Sequence, residues 1–140
     1  HLTKVHPVNI FKNIRADFQK IFLVGYLMNL LDKLLKPNDT DKRIFQLLVG
    51  FLEFFDKTGD IHPLLLDSFL LKFFSLLGFD ISCAENLEVN TKKVLVSLLE
   101  NNWENLPVGL DKKVVQTLHK TVHHFMESQS EQKLAYFREI

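Results

Sequence analysis

Three histidines near the end of the chain are the residues best suited to chemistry by type and spacing. His119 and His123 stand four positions apart in a segment with helical apolar spacing, so both imidazoles lie on one helix face, within reach of a single metal ion. His124 lies one position further round. A helical metalloprotease motif places a glutamate directly after its first histidine, and this chain has Lys120 there. We therefore favour a solvated polar face and predict no metal site, with metal binding as the alternative.

Cys83 is the one cysteine of the chain and its other candidate for chemistry. It could act as a nucleophile if a distant histidine reached it, but a free cysteine is more often a small structural residue. A lone thiol forms neither an internal disulfide nor a four-thiolate zinc site. The sequence shows no glycine-rich phosphate loop, nucleophile elbow or paired-carboxylate motif. We expect no catalytic residues, no cofactor and no enzymatic activity.

Length and composition constrain the elements that must position these residues. The 140 residues are enough for one domain with a single core, and 13 of them are phenylalanine. The 17 basic and 17 acidic residues give a net charge of zero, whereas nucleic-acid binding usually shows a basic excess. We expect this chain alone to bind DNA weakly. Basic residues interleaved with acidic ones around the first helix favour a solvated face over a nucleic-acid track: Arg15, Lys20, Lys33, Lys36, Lys42 and Arg43.

No segment is typical of a membrane span or of a signal peptide. The apolar run from Ile21 to Leu31 has eleven residues and ends at Asp32, while a spanning helix needs roughly 18. The first residues lack the basic, apolar and small-residue regions of a signal peptide. We expect a cytoplasmic bacterial protein that makes no membrane contact.

The most regular pattern lies in residues 43–79, where two apolar segments flank a short polar turn. Apolar residues recur every three or four positions in both, which predicts two helices buried along one broad face. Asp39, Thr40 or Asp41 can cap the first of them, and Gly78 suits the left-handed position that ends the second. The repeating positions are Phe45, Leu48, Phe51, Leu52 and Phe55, then Leu65, Phe69, Leu70, Phe73, Leu76 and Leu77.

Further helices are predicted on both sides of this pair. A first helix begins at an Asn9 cap, with a break near Ala16, and stops ahead of Pro37. Pro63 is expected in the first turn of the third helix. A fourth helix is predicted from Asn90 or Thr91 until Pro107, a fifth from Asp111, and a tail helix after a polar break at 128–131. The expected apolar positions are Phe11, Ile14, Phe18, Ile21, Phe22 and Tyr26; Val94, Leu95, Leu98, Leu99 and Trp103; Val114, Val115, Leu118, Val122 and Phe125; and Leu134, Tyr136 and Phe137.

No alternating strand pattern of useful length and no internal repeat appears in the sequence. We therefore predict an all-α fold, with a single domain of five or six helices over residues 1–140.

The helical pattern resembles the C-terminal helical domain of RecO, the bacterial recombination mediator. The central helices agree with that family in order and spacing up to Gly78-Phe79. Arg15-Ala16-Asp17, followed by Tyr26-Leu27 and Leu30-Leu31, is similar to the opening helix of the family. Lys133-Leu134 and the residues after it are similar to its C-terminal segment. The resemblance covers nearly the whole chain and implies the same helical fold.

The resemblance implies a non-enzymatic role in recombinational DNA repair, in the cytoplasm at the nucleoid. With a RecR-like partner, such a protein helps to replace single-stranded-DNA-binding protein by recombinase and promotes strand annealing. An OB-fold domain precedes the helices in that family and supplies DNA binding. None is visible here, so we expect a fragment. The family's four-cysteine zinc module follows Gly78-Phe79 in many members, and it is expected to be lost because only Cys83 stands in that region.

Residues 64–79 are apolar almost all round, which is more than one contact face requires. The favoured interpretation is a central helix that its neighbours enclose. The alternative is a groove for a partner's hydrophobic anchor, with a lysine near the rim to pair a carboxylate. The resemblance implies that the occupant would be the acidic, hydrophobic tail of single-stranded-DNA-binding protein. The candidate groove residues are Leu66, Phe69, Lys72, Phe73 and Leu77.

Two other functions fit the same sequence. A stand-alone helical interaction adaptor unrelated to repair would have the same fold but no OB-fold domain encoded before His1. A small helical enzyme or metal-sensing domain would use His119, His123 and Cys83.

Overall fold

The computed structural model describes residues 11–35, 41–84 and 86–129. Within them the chain forms six α-helices and two short 3-10 helices, and no strand. This confirms the predicted all-α fold. None of the described helices is long and apolar enough to cross a membrane. The α-helices are α1 (Lys12–Ala16), α2 (Phe18–Leu34), α3 (Lys42–Lys57), α4 (Leu65–Leu76), α5 (Val89–Glu100) and α6 (Lys112–Gln129), and the 3-10 helices are Ile81–Cys83 and Trp103–Asn105.

Helix α4 lies at the centre of the hydrophobic core and packs against α3, α5 and α6. Eight of its twelve residues are buried. The rings of Phe69 and Phe73 stack with their centroids 6.2 Å apart. The buried hydroxyl of Ser68 donates to the carbonyl of Leu98 on α5 at 2.6 Å, so it is not left without a partner. This arrangement agrees with the interpretation of α4 as an enclosed central helix.

Asp17 separates α1 from α2, close to the predicted break. Its side chain accepts hydrogen bonds from the backbone N–H groups of Gln19 at 3.0 Å and Lys20 at 3.2 Å, which caps α2. The N–H of Ile14 donates to the Asp56 carboxylate at 2.9 Å and ties α1 to the end of α3. Ile14 therefore belongs to α1, and the apolar positions from Phe18 to Tyr26 belong to α2, on the other side of the predicted break.

The start of α4 differs from the prediction, because the helix begins at Leu65 and Pro63 lies in the turn before it. The cause is the side chain of His62, a polar residue that does not belong to the apolar pattern. His62 Nδ1 accepts a hydrogen bond from the N–H of Leu64 at 3.0 Å, which holds a turn ahead of the helix.

The end of α4 follows the prediction. Gly78 has a φ of +98°, and the N–H of Phe79 donates to the carbonyl of Phe74 at 2.8 Å. This is the left-handed helix ending that glycine adopts without steric cost. Similarly, Asp41 caps α3 through a 2.8 Å hydrogen bond from the N–H of Arg43.

Helix α5 ends at Glu100, so the predicted continuation past Trp103 is wrong. Asn101 has extended backbone angles. From α4, Lys72 Nζ donates to the carbonyl of Leu99 at 2.6 Å and to that of Asn101 at 2.7 Å. The lysine supplies donors at the helix end, where carbonyls lack partners within the helix. Trp103 leaves the helical path and forms a 3-10 helix.

Helix α6 buries most of its predicted stripe. Leu118, Val122 and Phe125 are buried, but Val114 is 41% exposed, so the stripe begins later than predicted. Residue Ser128 is still helical, although a break was predicted to begin there. Helix α2 ends at Leu34, ahead of Pro37 as predicted, whereas the Asn9 cap and the tail helix lie outside the described residues.

Candidate partner-binding site

A cavity of about 690 Å³ lies between α2, α4, α6 and the loop that precedes α4. Its volume falls within the roughly 300–1,000 Å³ typical of ligand pockets. Three helices that are distant in sequence build it, so no single sequence pattern outlines it. Its apolar lining consists of Leu23 and Tyr26 of α2, Ile61 and Pro63 of the loop, and Leu66 and Leu70 of α4.

One wall of the cavity is polar and comes mostly from α6. His119 and His123 lie one helical turn apart along this wall, with Lys120 and His124 beside them. All four residues are exposed to solvent. Gln19, His62, Asp67 and Glu127 complete the polar lining. The cavity therefore combines an apolar floor with a polar wall of mixed charge, in which Lys120 and the imidazoles of α6 can contact an acidic group of a ligand while Asp67 and Glu127 contribute negative charge.

Asp67 is the buried acidic residue of the cavity. Its carboxylate oxygen Oδ2 accepts a hydrogen bond from His119 Nδ1 at 2.6 Å. Burial raises the pKa of the Asp67 carboxyl above its ordinary value of 3.8, while the nearby imidazoles of His119 and His123 act in the opposite direction. The hydrogen bond fixes the His119 ring against α4 and links the two helices that face each other across the cavity.

His62 anchors the loop at the edge of the cavity. Its Nδ1 accepts from the N–H of Leu64, so Nε2 carries the proton and donates to the carbonyl of Pro107 at 2.6 Å. Both ring nitrogens are therefore engaged in the structure. We assign His62 the role of positioning the loop, and we attribute ligand contacts on the polar side of the cavity mainly to α6.

The five predicted groove residues fall into different environments. Phe69 and Phe73 have no exposed surface and pack inside the core. Lys72 donates both of its hydrogen bonds to carbonyls at the end of α5, so it is not a free rim charge. Leu77 is half-buried at the end of α4, and Leu66 lines the cavity. The structure does not bring the five together on one open surface, and the groove stays a prediction for Leu66 and Leu77 alone.

An exposed apolar stripe on α2 continues from the cavity. Phe18 is 85% exposed and Phe22 68%, with Ile21 and Tyr26 at 47% and 43%. Tyr26 also lines the cavity, so the two surfaces meet at this side chain. Large exposed apolar residues that cluster on one helix face are typical of contact surfaces. We refer to Phe18, Ile21, Phe22 and Tyr26 as the α2 stripe.

Two of the basic residues near the first helices are engaged within the protein. Lys20 is buried, and its Nζ donates to the carbonyl of Thr58 at 2.7 Å, above the Phe55 ring. Arg43 pairs with Asp41 at 2.9 Å, and the Arg43 guanidinium holds the pKa of the Asp41 carboxyl below its ordinary value. Lys36 lies outside the described residues. Such pairing favours the solvated-face interpretation over a nucleic-acid track.

Cys83 is exposed and does not line the cavity. Among the residues that the structure describes, no three or more His, Cys, Asp or Glu side chains are grouped so that they could hold a metal ion. The sequence had singled out the His119–His123 pair, but it gave no reason to connect either residue with Asp67. The one available signal was that Asp67 is the only acidic residue among the twelve residues of α4.

The sequence model of the family described as "Recombination protein O C terminal" matches residues 15–87, which is just over half of the chain. The chain belongs to this family. It is also 35% identical over 75 residues to a protein named DNA repair protein RecO from Geobacter metallireducens. That match covers 54% of this chain and 30% of the relative. No solved structure matches. The family match contains α2, α3 and α4, whereas the α6 wall of the cavity lies beyond it.

Proposed function

We propose that this chain is the helical part of a RecO-like recombination mediator that acts in bacterial DNA repair without catalysing a reaction. Its membership of the RecO C-terminal family and the name of its relative support the repair role. The proposed location is the cytoplasm, at the nucleoid. DNA binding by this chain alone is expected to be weak, because its net charge is zero.

The observation that carries a binding role is the cavity with an apolar floor and a polar wall, in which Lys120 stands beside His119, His123 and His124. We propose that it receives the acidic, hydrophobic tail of single-stranded-DNA-binding protein. An apolar side chain of the tail would lie against Leu66 and Leu70, and its carboxylates would face Lys120 and His124. The α2 stripe would extend the contact past Tyr26. A RecR-like protein is the second proposed partner.

Binding of a labelled peptide with an acidic, hydrophobic C-terminal tail tests this assignment. We expect saturable binding that weakens as salt rises, because part of the attraction is electrostatic. Lys120→Glu should weaken binding roughly threefold to fivefold, as expected for one exposed charge. The matched control is Lys113→Glu, because Lys113 is an exposed residue of α6 that does not line the cavity.

Two results would contradict the assignment. One is equal affinity of wild type, Lys120→Glu and Lys113→Glu at every salt concentration. The other is equal affinity for the tail peptide and for a scrambled peptide of the same composition, which would favour a general interaction adaptor.

A further inference from the structure

The contact with Asp67 leaves Nε2 as the nitrogen of the His119 ring that can bind a metal ion. Its Nδ1 donates to Asp67 Oδ2 at 2.6 Å, so the lone pair of the neutral ring lies on Nε2. No partner of Nε2 is found among the described residues. A metal-binding histidine almost always donates its other ring N–H to a carboxylate or carbonyl, which fixes the ring and raises its basicity. The Asp67–His119 pair reproduces this arrangement.

A second imidazole stands one helical turn further along the same face. His123 follows His119 by four positions in α6, and residues so spaced are about 5–6 Å apart at their Cβ atoms. The side chains of His119 and His123 are 44% and 63% exposed, so an ion can reach both from solvent. His123 Nε2 is 3.8 Å from Glu127 Oε1, which is too long for a hydrogen bond.

We propose that His119 and His123 together bind a divalent transition-metal ion of the Zn²⁺ class, with Asp67 as the positioning residue for His119. Imidazole nitrogen suits zinc, copper and nickel. Since the described residues offer no group of three or more ligands, water completes the coordination. The Glu127 carboxylate lowers the local positive charge beside His123, whereas Lys120 raises it. The site is an exposed chelate and does not hold the fold together.

Titration of the purified chain with zinc, measured by isothermal titration calorimetry at neutral pH, tests the proposal. Wild type should bind one Zn²⁺ more than His123→Gln binds. The matched control is His124→Gln, which removes a neighbouring exposed imidazole and should retain the wild-type stoichiometry. Zinc bound elsewhere on the chain is common to all three proteins and cancels in the comparison.

Asp67→Asn tests the positioning role separately. It should reduce zinc affinity about tenfold, as expected when a metal-binding histidine loses its outer carboxylate. Nitrogen NMR of the His119 ring provides a readout that a purely structural role would not change. In wild type, zinc should shift the Nε2 resonance, and without zinc the proton should reside on Nδ1.

The proposal fails if His123→Gln binds as much zinc as wild type, or if wild type binds none. A wild-type His119 ring with its proton on Nε2 would also overturn it. These outcomes do not depend on peptide binding, so they are independent of the function proposed for the cavity.

Discussion

Helices α4 and α2 are both strongly apolar, yet their phenylalanine side chains are buried in α4 and exposed in α2. The α4 side chains pack against three other helices, and Phe69, Phe73 and Phe74 have no exposed surface. In α2 the two phenylalanines are largely exposed, and the buried positions include Lys20. The difference arises from neighbours, since α4 packs against α3, α5 and α6, whereas α2 buries only Lys20, Leu27, Leu31 and Leu34 and leaves its phenylalanines exposed. Apolar spacing thus predicts a helix but not the face that it buries.

Truncation of one phenylalanine in each helix provides the largest test of this comparison. Phe73→Ala removes a fully enclosed ring and should lower the free energy of unfolding by about 3–5 kcal/mol. Phe18→Ala removes a ring that is 85% exposed and should change it by no more than about 0.5 kcal/mol. Urea denaturation measures both. Similar losses in the two variants would show that the α2 stripe is covered by other parts of the protein.

Lys72 offers the next test, because it connects α4 to the end of α5. Lys72→Met keeps most of the side-chain volume but leaves the carbonyls of Leu99 and Asn101 without their donor. We expect a loss of about 1 kcal/mol, the low end for such groups, since the lysine is only half-buried. Lys93→Met, on the exposed face of α5, should be neutral. An equally stable Lys72→Met would show that water replaces the ammonium group.

The cap of α2 should matter more than any charge along its exposed face. Asp17→Ala removes the acceptor for two backbone N–H groups and should cost about 1 kcal/mol. Asp32→Ala removes an exposed carboxylate from the last turns of the same helix and serves as the control. Thermal unfolding should separate the two variants, and an unchanged midpoint for Asp17→Ala would argue against the cap.

Asp67 predicts a smaller effect that depends on pH. Because burial raises the pKa of its carboxyl in the folded state, the folded chain holds this proton more tightly than the unfolded chain does. That contribution to stability is fully present below about pH 3.8 and is lost as pH rises through the folded-state pKa. The Asp67→Asn variant lacks this contribution. The free energy of unfolding of the variant should therefore rise relative to that of wild type as pH rises. A constant difference would show that the carboxyl is not perturbed.

Local chemistry in the sequence predicts much of the fold. Gly78 ends α4 because a left-handed residue there suits glycine, and Asp41 caps α3 because its carboxylate can accept from the helix N-terminus. Where the sequence failed, a distant residue decides the outcome. The end of α5 depends on Lys72, 27 positions before Leu99.

The candidate site was less accessible to sequence reasoning than the fold. Leu66 of α4 lines the cavity, but the cavity also needs α2 and α6, which lie far from Leu66 along the chain. The partner of His119 is Asp67, and no spacing rule connects residues on two different helices. The apolar character that predicts groove positions for Phe69 and Phe73 is equally typical of a core, where both rings lie.

The hydrogen bond from His62 to Pro107 has a consequence for the order of folding. It joins residues 45 positions apart, whereas the bond of Lys72 to Leu99 spans 27. Closing the longer loop costs more chain entropy, and contacts of high sequence separation slow folding when they must form early. The pairing of α4 with α5 can precede that closure. We therefore expect the Pro107 segment, and with it the His62 contact at the edge of the cavity, to dock after α4 and α5 have paired.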